Sequence, residues 1–444
     1  MDRANRTIIV LDDDPTGTQT VHDVDVYTDW SEESLASGFS SPMFFVLTNS
    51  RSFSSEKTEA VHRDIALKIL AQSKQLNKDF IVVSRGDSTL RGHYPIETAA
   101  MNDVFASNGC AMDGEILIPF FPEGGRFTID DVHYVRQGEE LIPAGETEFA
   151  KDKTFGYKNS NLKAWIEEKT AGAFSADDVQ SVPLDMLRNK DYGGITDILC
   201  RCQNFTKVIV NAQEYDDLRV FAKAFYMAVA RGKRFMFRSA AAIVKVLGEV
   251  SDQNLLTHKQ LADLDNPNGG LIIVGSHVAK TTAQVETLLR GRSIELIEMN
   301  QHLATDPEAF DAEVERVLEL ATQNIAAGKD TVVMTRRERF DLGTNPEEEL
   351  RLAVTIGDKL VGVLNRLTVR PSFVISKGGI TSSDVATKGL GIKKARVAGQ
   401  ILPGVPVWQA GVESKYPGLM LVIFPGNVGD EDALLQAVGK FKET

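Results

Sequence analysis

The sequence predicts an α/β protein: two α/β domains with mainly parallel sheets and an interdomain cleft. Three observations carry this. Short, uniformly apolar runs recur along the chain, amphipathic stretches separate them, and a turn-rich break, Asn-Pro-Asn-Gly-Gly at 266–270, divides two such series. Uniformly apolar runs this short suit strands buried on both faces, as in a parallel sheet. Alternation with helices makes βαβ units. At about 100–200 residues per domain, the 444 residues fit two, placed at 1–250 and 270–444.

In the first domain, strands are expected at 7–11, 44–48, 80–84, 115–119, 207–211 and 234–238. The stretch 54–76 reads as an amphipathic helix whose opening serines supply N-cap hydroxyls. From 121 to 158 the chain turns polar, aromatic and Gly-rich, without clean periodicity. That reads as a β-rich excursion or as a loop over a site, since long irregular segments in compact domains tend to be functional. In the second domain, strands are expected at 271–274, 294–298, 331–335, 372–376, 406–409 and 419–424.

Composition removes several functional classes. The net charge is −13, whereas nucleic-acid coating needs clustered Lys and Arg. Three cysteines form no spaced pairs and read as buried thiols, not a disulfide framework. Seven histidines without a His-x-x-x-His pair give no zinc signature. The apolar run at 7–11 is too short for a signal peptide, and none approaches the ~18 residues of a membrane span. The expectation is a cytoplasmic protein with no nucleic-acid or membrane partner. A homodimer is expected on frequency alone, because cyclic dimers are the commonest assemblies.

In a parallel sheet, ligands gather at the carboxyl ends of strands. Four motifs of the first domain fall there: Asp12-Asp13-Asp14-Pro15-Thr16-Gly17, "LTNSRS" at 47–52, "SRGDSTLRGH" at 84–93 and "PFFPEGGR" at 119–126. Three adjacent carboxyls repel and raise one another's pKa, which calls for a metal, a phosphoryl group, a polyol or a solvated turn. Within 84–93, an arginine fork (Arg85, Arg91) can take a carboxylate or phosphate in bidentate fashion. Asp87 beside Ser88 and Thr89 can orient hydroxyls; an Arg–Asp bridged turn is the equally weighted alternative. The second domain has three strand–Gly–helix junctions, at Gly275-Ser276, at Lys377-Gly378-Gly379-Ile380-Thr381 and at Gly426-Asn427-Val428-Gly429. Glycines let backbone amides approach an anion, and helix N-termini favour phosphate. Neither G-x-x-x-x-G-K-[ST] nor G-x-G-x-x-G is present, and the protein-kinase signatures are missing too.

Two enzyme classes compete for the opening motif. Asp12-x-Asp14-x-Thr16 after an apolar run resembles the first motif of haloacid dehalogenase-type phosphatases, and "FFVLTNS" resembles their second. Their lysine and paired-aspartate motifs have no match in the first domain, and the second domain would have no task. The sequence also resembles, over nearly its whole length, the four-carbon acid sugar kinase family. The matches, in order, are Asp13-Asp14-Pro15-Thr16-Gly17, Asp87-Ser88-Thr89-Leu90-Arg91-Gly92, Gly125-Arg126, Gly275-Ser276, Gly378-Gly379-Ile380-Thr381 and Gly426-Asn427-Val428-Gly429. Ile380 stands where the family commonly has an acidic residue.

That resemblance implies a sugar-binding N-terminal and a nucleotide-binding C-terminal domain, and ATP-dependent phosphorylation of threonate, erythronate, 3-oxo-tetronate or a similar acid sugar. Asp13, Thr16, Gly17, Arg85, Ser88, Arg91 and Arg126 would then surround the sugar acid. Arg91, helped by Arg126 or Arg85, would clamp its carboxylate, and Asp14 or Asp87 would orient the attacking hydroxyl and accept its proton. Gly275, Ser276, Gly378, Gly379, Ile380, Thr381, Gly426 and Asn427 would hold ATP, with Mg2+ bridging its phosphates mainly through waters. No residue is assigned as a metal ligand. A sugar-acid sensor that binds without turnover is the non-enzymatic alternative.

Overall fold

The computed structural model describes residues 6–338, 340, 346–426 and 428–442. The chain divides into two units, Met1–Asp252 and Gln253–Thr444.

The first unit runs β1 (Arg6–Asp12), β2 (Val24–Tyr27), α1 (Glu32–Phe39), β3 (Met43–Leu47), α2 (Ser55–Leu76), β4 (Asp79–Arg85), α3 (Ile96–Ser107), β5 (Gly114–Ile118), β6 (Arg126–Ile129), β7 (Val132–Gln137), β8 (Glu140–Pro143), α4 (Leu162–Lys169), β9 (Gln180–Val182), α5 (Leu184–Arg188), α6 (Tyr192–Arg201), β10 (Thr206–Val210), α7 (Tyr215–Ala230), β11 (Phe235–Ser239) and α8 (Ala242–Leu247). Its main sheet has the order β2-β3-β1-β4-β11-β5-β10-β9, and the pairings along it are parallel. Ile8 to Leu11 of β1 are all buried, because helices cover both faces of the sheet. Ile9 and Leu11 point into the core that also holds Ile65, Ala66, Ile69, Met101 and Phe105. In α2 the Ser54 hydroxyl accepts the Lys57 N–H at 3.3 Å, Asn77 ends the helix in the left-handed region, and Ile65, Ala66 and Ile69 form one buried stripe.

The second unit runs α9 (His258–Leu261), β12 (Leu271–Val274), α10 (Ala279–Gly291), β13 (Glu295–Met299), α11 (Pro307–Ala326), β14 (Thr331–Thr335), α12 (Pro346–Arg366), β15 (Val374–Lys377), α13 (Gly379–Asp384), β16 (Lys394–Leu402), β17 (Val405–Ala410), β18 (Met420–Phe424) and α14 (Ala433–Phe441). Its strands are ordered β13-β14-β12-β15-β18-β17-β16. The pairings from β13 to β18 are parallel, and β17 and β16 add an antiparallel edge. The segment 253–269 belongs to this unit.

The fold is therefore two α/β units with mainly parallel sheets, as expected. Two of the strands that the apolar-run reading missed depart from a uniform apolar run in different ways. β2 carries a buried Asp25 inside its run. β16 alternates buried and less buried residues, the pattern of a half-covered strand. The stretch 121–158 is the β-rich excursion, a three-stranded antiparallel sheet of β6, β7 and β8. Of the three thiols expected to be buried, only Cys202 is; Cys110 and Cys200 are partly exposed because their positions lie near the sheet's amino-terminal edge and on the outer face of α6. Among the described residues no helix is long and apolar enough to cross a membrane.

Candidate active site

In the first unit, parallel register brings the chemistry together. Asp12 lies opposite Leu47 on one side and Arg85 on the other, and Arg85 lies opposite Ser239. The residues that follow β1, β3 and β4 thus share one edge of the sheet.

The three aspartates have three different environments. Asp12, the last residue of β1, accepts Arg85 Nη1 on Oδ1 at 3.0 Å. A Cβ on Gly17 would sit 2.1 Å from Asp12 Oδ2, so only glycine lets the turn fold over that carboxyl. Burial pushes the Asp12 carboxyl up to about 8; Arg85 opposes this while Asp14 and Asp13 add to it. Asp13 takes a bidentate clasp from Arg51, through Nε at 3.0 Å and Nη2 at 2.6 Å. Burial still holds Asp13 above its ordinary value against the pull of Arg51. Asp14 accepts Arg51 Nη1 at 2.7 Å and caps the turn at Pro15–Thr18, taking the Thr16 N–H at 2.7 Å and the Thr16 hydroxyl. Burial acts to raise Asp14 too, but Arg51, Arg85 and Thr16 together outweigh it and hold the carboxyl below its usual range.

The 84–93 motif forms the opposite wall. Asp87 Oδ2 accepts Arg91 Nε at 2.8 Å and the Thr89 hydroxyl. Burial would raise this carboxyl, yet Arg91 and Arg51 hold it well below the carboxylate range. Behind it, Arg238 joins Glu97 at 2.9 Å and the Arg91 carbonyl at 3.1 Å. A Cβ on Gly92 would lie 2.8 Å from Arg238 Nη2 and 3.3 Å from Asp13 Oδ2, so this glycine sits where the two motifs meet. The small antiparallel sheet braces the same loop. His133 Nε2 bonds the Ser88 carbonyl at 2.8 Å, and Tyr157 donates its hydroxyl to the Thr89 carbonyl at 2.7 Å. Burial keeps the His133 imidazole neutral, its pKa down to about 4.

Pairing and exposure divide the predicted residues. The side chains of Asp12, Asp13 and Arg85 are at most 5% exposed, turned into the protein and paired there. Asp14, Asp87 and Arg91 keep 13–25% exposure and can meet a ligand. Arg126 is different again. Among the described residues no carboxylate lies within ion-pair distance of it, its buried Nε has no acceptor, and its guanidinium lies over the Phe149 ring that Arg91 also faces. Burial lowers the Arg126 pKa, with Asp87 pulling it up and Arg91 pushing it down. It lies beside Asp87 and Arg91. Sequence reasoning missed Arg51, which lay unmarked in "LTNSRS", and Arg238, which lay inside an apolar run.

In the second unit, the three glycine junctions meet. A Cβ on Gly275 would lie 2.3 Å from Thr381 Oγ1, one on Gly378 3.3 Å from Ser276 Cβ, and one on Gly426 3.2 Å from Ser276 Oγ. Thr281 Oγ1 ties Ser276 Oγ to the Gly426 carbonyl, each at 3.2 Å. Gly378 has φ +118°, which side-chain-bearing residues rarely adopt, and Gly379 begins α13. Ile380 is 66% exposed beside them. Asn427 lies outside the described residues. Arg337, also missed, holds the first junction by donating to the Ser276 carbonyl at 2.8 Å and to Thr282 Oγ1 at 2.7 Å. The result is a small polar cradle in which three loop glycines pack tightly against the Ser276 and Thr381 side chains, and glycine-rich loops of this kind let backbone approach an anion. Among the described residues no group of three His, Cys, Asp or Glu is placed to hold a metal ion.

Residues 8–247 match the model of a sugar-binding N-terminal domain, and residues 271–434 that of a nucleotide-binding C-terminal domain. Among solved structures, Haemophilus influenzae protein HI1011 is similar at 19% identity with a TM-score of 0.64, covering 98% of this chain and 100% of its own. A Salmonella typhimurium LT2 protein with a provisional tRNA synthase label is similar at 16% identity and a TM-score of 0.70, covering 97% and 98%. At these identities the likeness shows the fold alone. No curated protein matches. With both domain models matched in order along the chain, the protein belongs to the family that joins a sugar-binding N-terminal domain to a nucleotide-binding C-terminal one, the four-carbon acid sugar kinase family.

Proposed function

We propose that the protein is an ATP-dependent kinase that phosphorylates a hydroxyl of a small acid sugar, of four carbons or similar size, such as threonate, erythronate or 3-oxo-tetronate. The observation that carries this reading is the state of the arginines. Arg51, Arg85, Arg91 and Arg238 each have a carboxylate partner, whereas Arg126 has none among the described residues and lies beside Asp87 and Arg91. Arg126 is half-buried, and its buried Nε is left without an acceptor; leaving a buried donor unmet is costly, and a ligand carboxylate meets a guanidinium in bidentate fashion. Asp14 and Asp87, ionised and partly exposed, are hydroxyl acceptors on the same surface.

A substrate carboxylate on Arg126, with Arg91 beside it, directs the sugar hydroxyls toward Asp14 and Asp87. Both carboxyls are poor bases in the free protein, held down by Arg51 and Arg91. They orient the attacking hydroxyl and take its proton late. That is enough, because phosphoryl transfer through a loose transition state depends mainly on alignment and charge neutralisation. Gly275, Ser276, Gly378, Gly379, Thr381 and Gly426 lie at the three meeting junctions, and their glycine backbone and hydroxyls are the groups that suit nucleotide phosphates. ATP, entering with Mg2+, supplies the phosphoryl group.

The phosphatase alternative is less well supported. Its nucleophile would be Asp12, yet that side chain is 2% exposed, held by Arg85 and covered by Gly17. The sensor alternative predicts binding without ATP consumption. A screen of ADP release over four- and five-carbon acid sugars, with a phosphate-release control on sugar phosphates, separates the three.

A further inference from the structure

Lys377, the last residue of β15, is completely buried. Its sheet neighbours in register are Val274 of β12 and Phe424 of β18, both apolar. Its ammonium lies 3.9 Å from the centre of the Phe424 ring and donates to the Pro425 carbonyl at 2.6 Å. Among the described residues no carboxylate lies within ion-pair distance, and the one charged side chain acting on it is another cation, Lys280, in the first turn of α10. A buried ammonium needs a counter-charge. Burial and Lys280 bring its pKa down to about 7.

Lys377 nevertheless stands where the anion is expected. It precedes Gly378 in the chain, and the carbonyl it holds belongs to the peptide whose N–H is that of Gly426. It thus joins the second and third glycine junctions. Hydrogen bonds in series polarise one another, so a charged Lys377 on the Pro425 carbonyl makes the Gly426 amide a stronger donor to phosphate. The bound anion in turn favours the charged form of Lys377.

Resting on the nucleotide-binding reading of this cradle, we propose that Lys377 couples nucleotide binding to protonation. Phosphate bound on the Gly378 and Gly426 loops draws up to one proton from solvent onto the buried Lys377 amine, and the resulting ammonium braces the two loops around the anion. Lys377 is a positioning residue, acting through the Pro425–Gly426 peptide.

Titration of the full-length protein with Mg·ADP by calorimetry across pH 6.5 to 8.5 tests this. The second ionisation of a phosphate lies near pH 6, so the ligand contributes little above neutrality. The complex binds more protons than the free protein, so affinity falls as pH rises above about 7 and approaches a tenfold loss per pH unit there, about the linkage limit for one proton. Buffers of different ionisation enthalpy should report net proton uptake. Lys377→Met should bind more weakly at pH 7, show no uptake, and meet the wild-type curve at high pH. A wild-type affinity flat with pH, or no proton uptake, overturns the proposal without reference to any variant. A Lys377→Met curve falling in parallel with wild type overturns it as well, by placing the proton elsewhere. Absence of Mg·ADP binding at every pH instead refutes the nucleotide reading, and the proposal falls with it.

Discussion

Arg51 clasps Asp13 with Nε and Nη2, at 3.0 and 2.6 Å, and spends its remaining nitrogen on Asp14 at 2.7 Å. One guanidinium therefore compensates two adjacent carboxyls, and Arg85 serves the third. This is how the chain tolerates Asp12-Asp13-Asp14 at a strand end. Arg51→Ala leaves the buried Asp13 and the partly exposed Asp14 without their main partner. It should destabilise the protein by about 3 kcal/mol, the low end for breaking a buried pair, because Arg51 keeps 23% exposure. Arg51→Lys cannot reproduce the fork and should recover little. Urea denaturation of the three proteins measures both effects; wild-type stability in Arg51→Ala contradicts the assignment.

Asp12 leads to a prediction in pH. Its folded-state pKa of about 8 lies above the ordinary 3.8. An acid raised on folding favours the folded state least where it must ionise, so its effect on stability worsens as pH rises from about 4 to 8. Asp12→Asn mimics the protonated carboxyl and removes this term. Relative to wild type, its stability should therefore improve steadily across that range, while turnover stays close to wild type at neutral pH. Loss of turnover in Asp12→Asn would favour the phosphatase reading.

Arg126 should separate binding from folding. An arginine that completes a buried pair is costly to remove; one waiting for a ligand is not. Arg126→Met should leave the melting temperature unchanged or higher. It should raise KM for an acid sugar by about 10- to 100-fold, since a charge-assisted hydrogen bond contributes about 1.5–3 kcal/mol. Saturation kinetics and thermal unfolding of one preparation decide the matter, and a lowered melting temperature with unchanged KM would make Arg126 structural.

Gly275 tests the cradle. A side chain there meets Thr381 Oγ1 at 2.3 Å and pushes the first and second junctions apart. Gly275→Val should weaken Mg·ADP binding at least tenfold, about 1.4 kcal/mol, with the far-ultraviolet circular dichroism spectrum unchanged. Wild-type nucleotide affinity in this variant would place the phosphates elsewhere.

The parallel sheets were legible because uniformly apolar runs such as Ile8–Leu11 and Leu271–Val274 are buried on both faces. β16 was not, since its period-two pattern, with Gly399 inside it, resembles surface loop as much as strand. That the motif residues of the candidate site fall at strand ends was legible. Their division of labour was not, because it depends on partners far away in sequence. Arg51 reaches Asp13 across 38 positions, and Arg238 reaches Glu97 across 141. Asp13 and Arg85 looked as available to a substrate as Asp14 and Arg91, and only burial distinguishes them.

The central claim is phosphoryl transfer from ATP to an acid sugar. The most direct measurement incubates the purified protein with Mg·ATP and each of a set of four- and five-carbon acid sugars and follows the phosphorus by 31P NMR. At least one acid sugar should give stoichiometric ADP and a phosphomonoester, and the polyol that lacks the carboxylate should give none. ATP left intact with every acid sugar, or inorganic phosphate released from sugar phosphates without ATP, would contradict it.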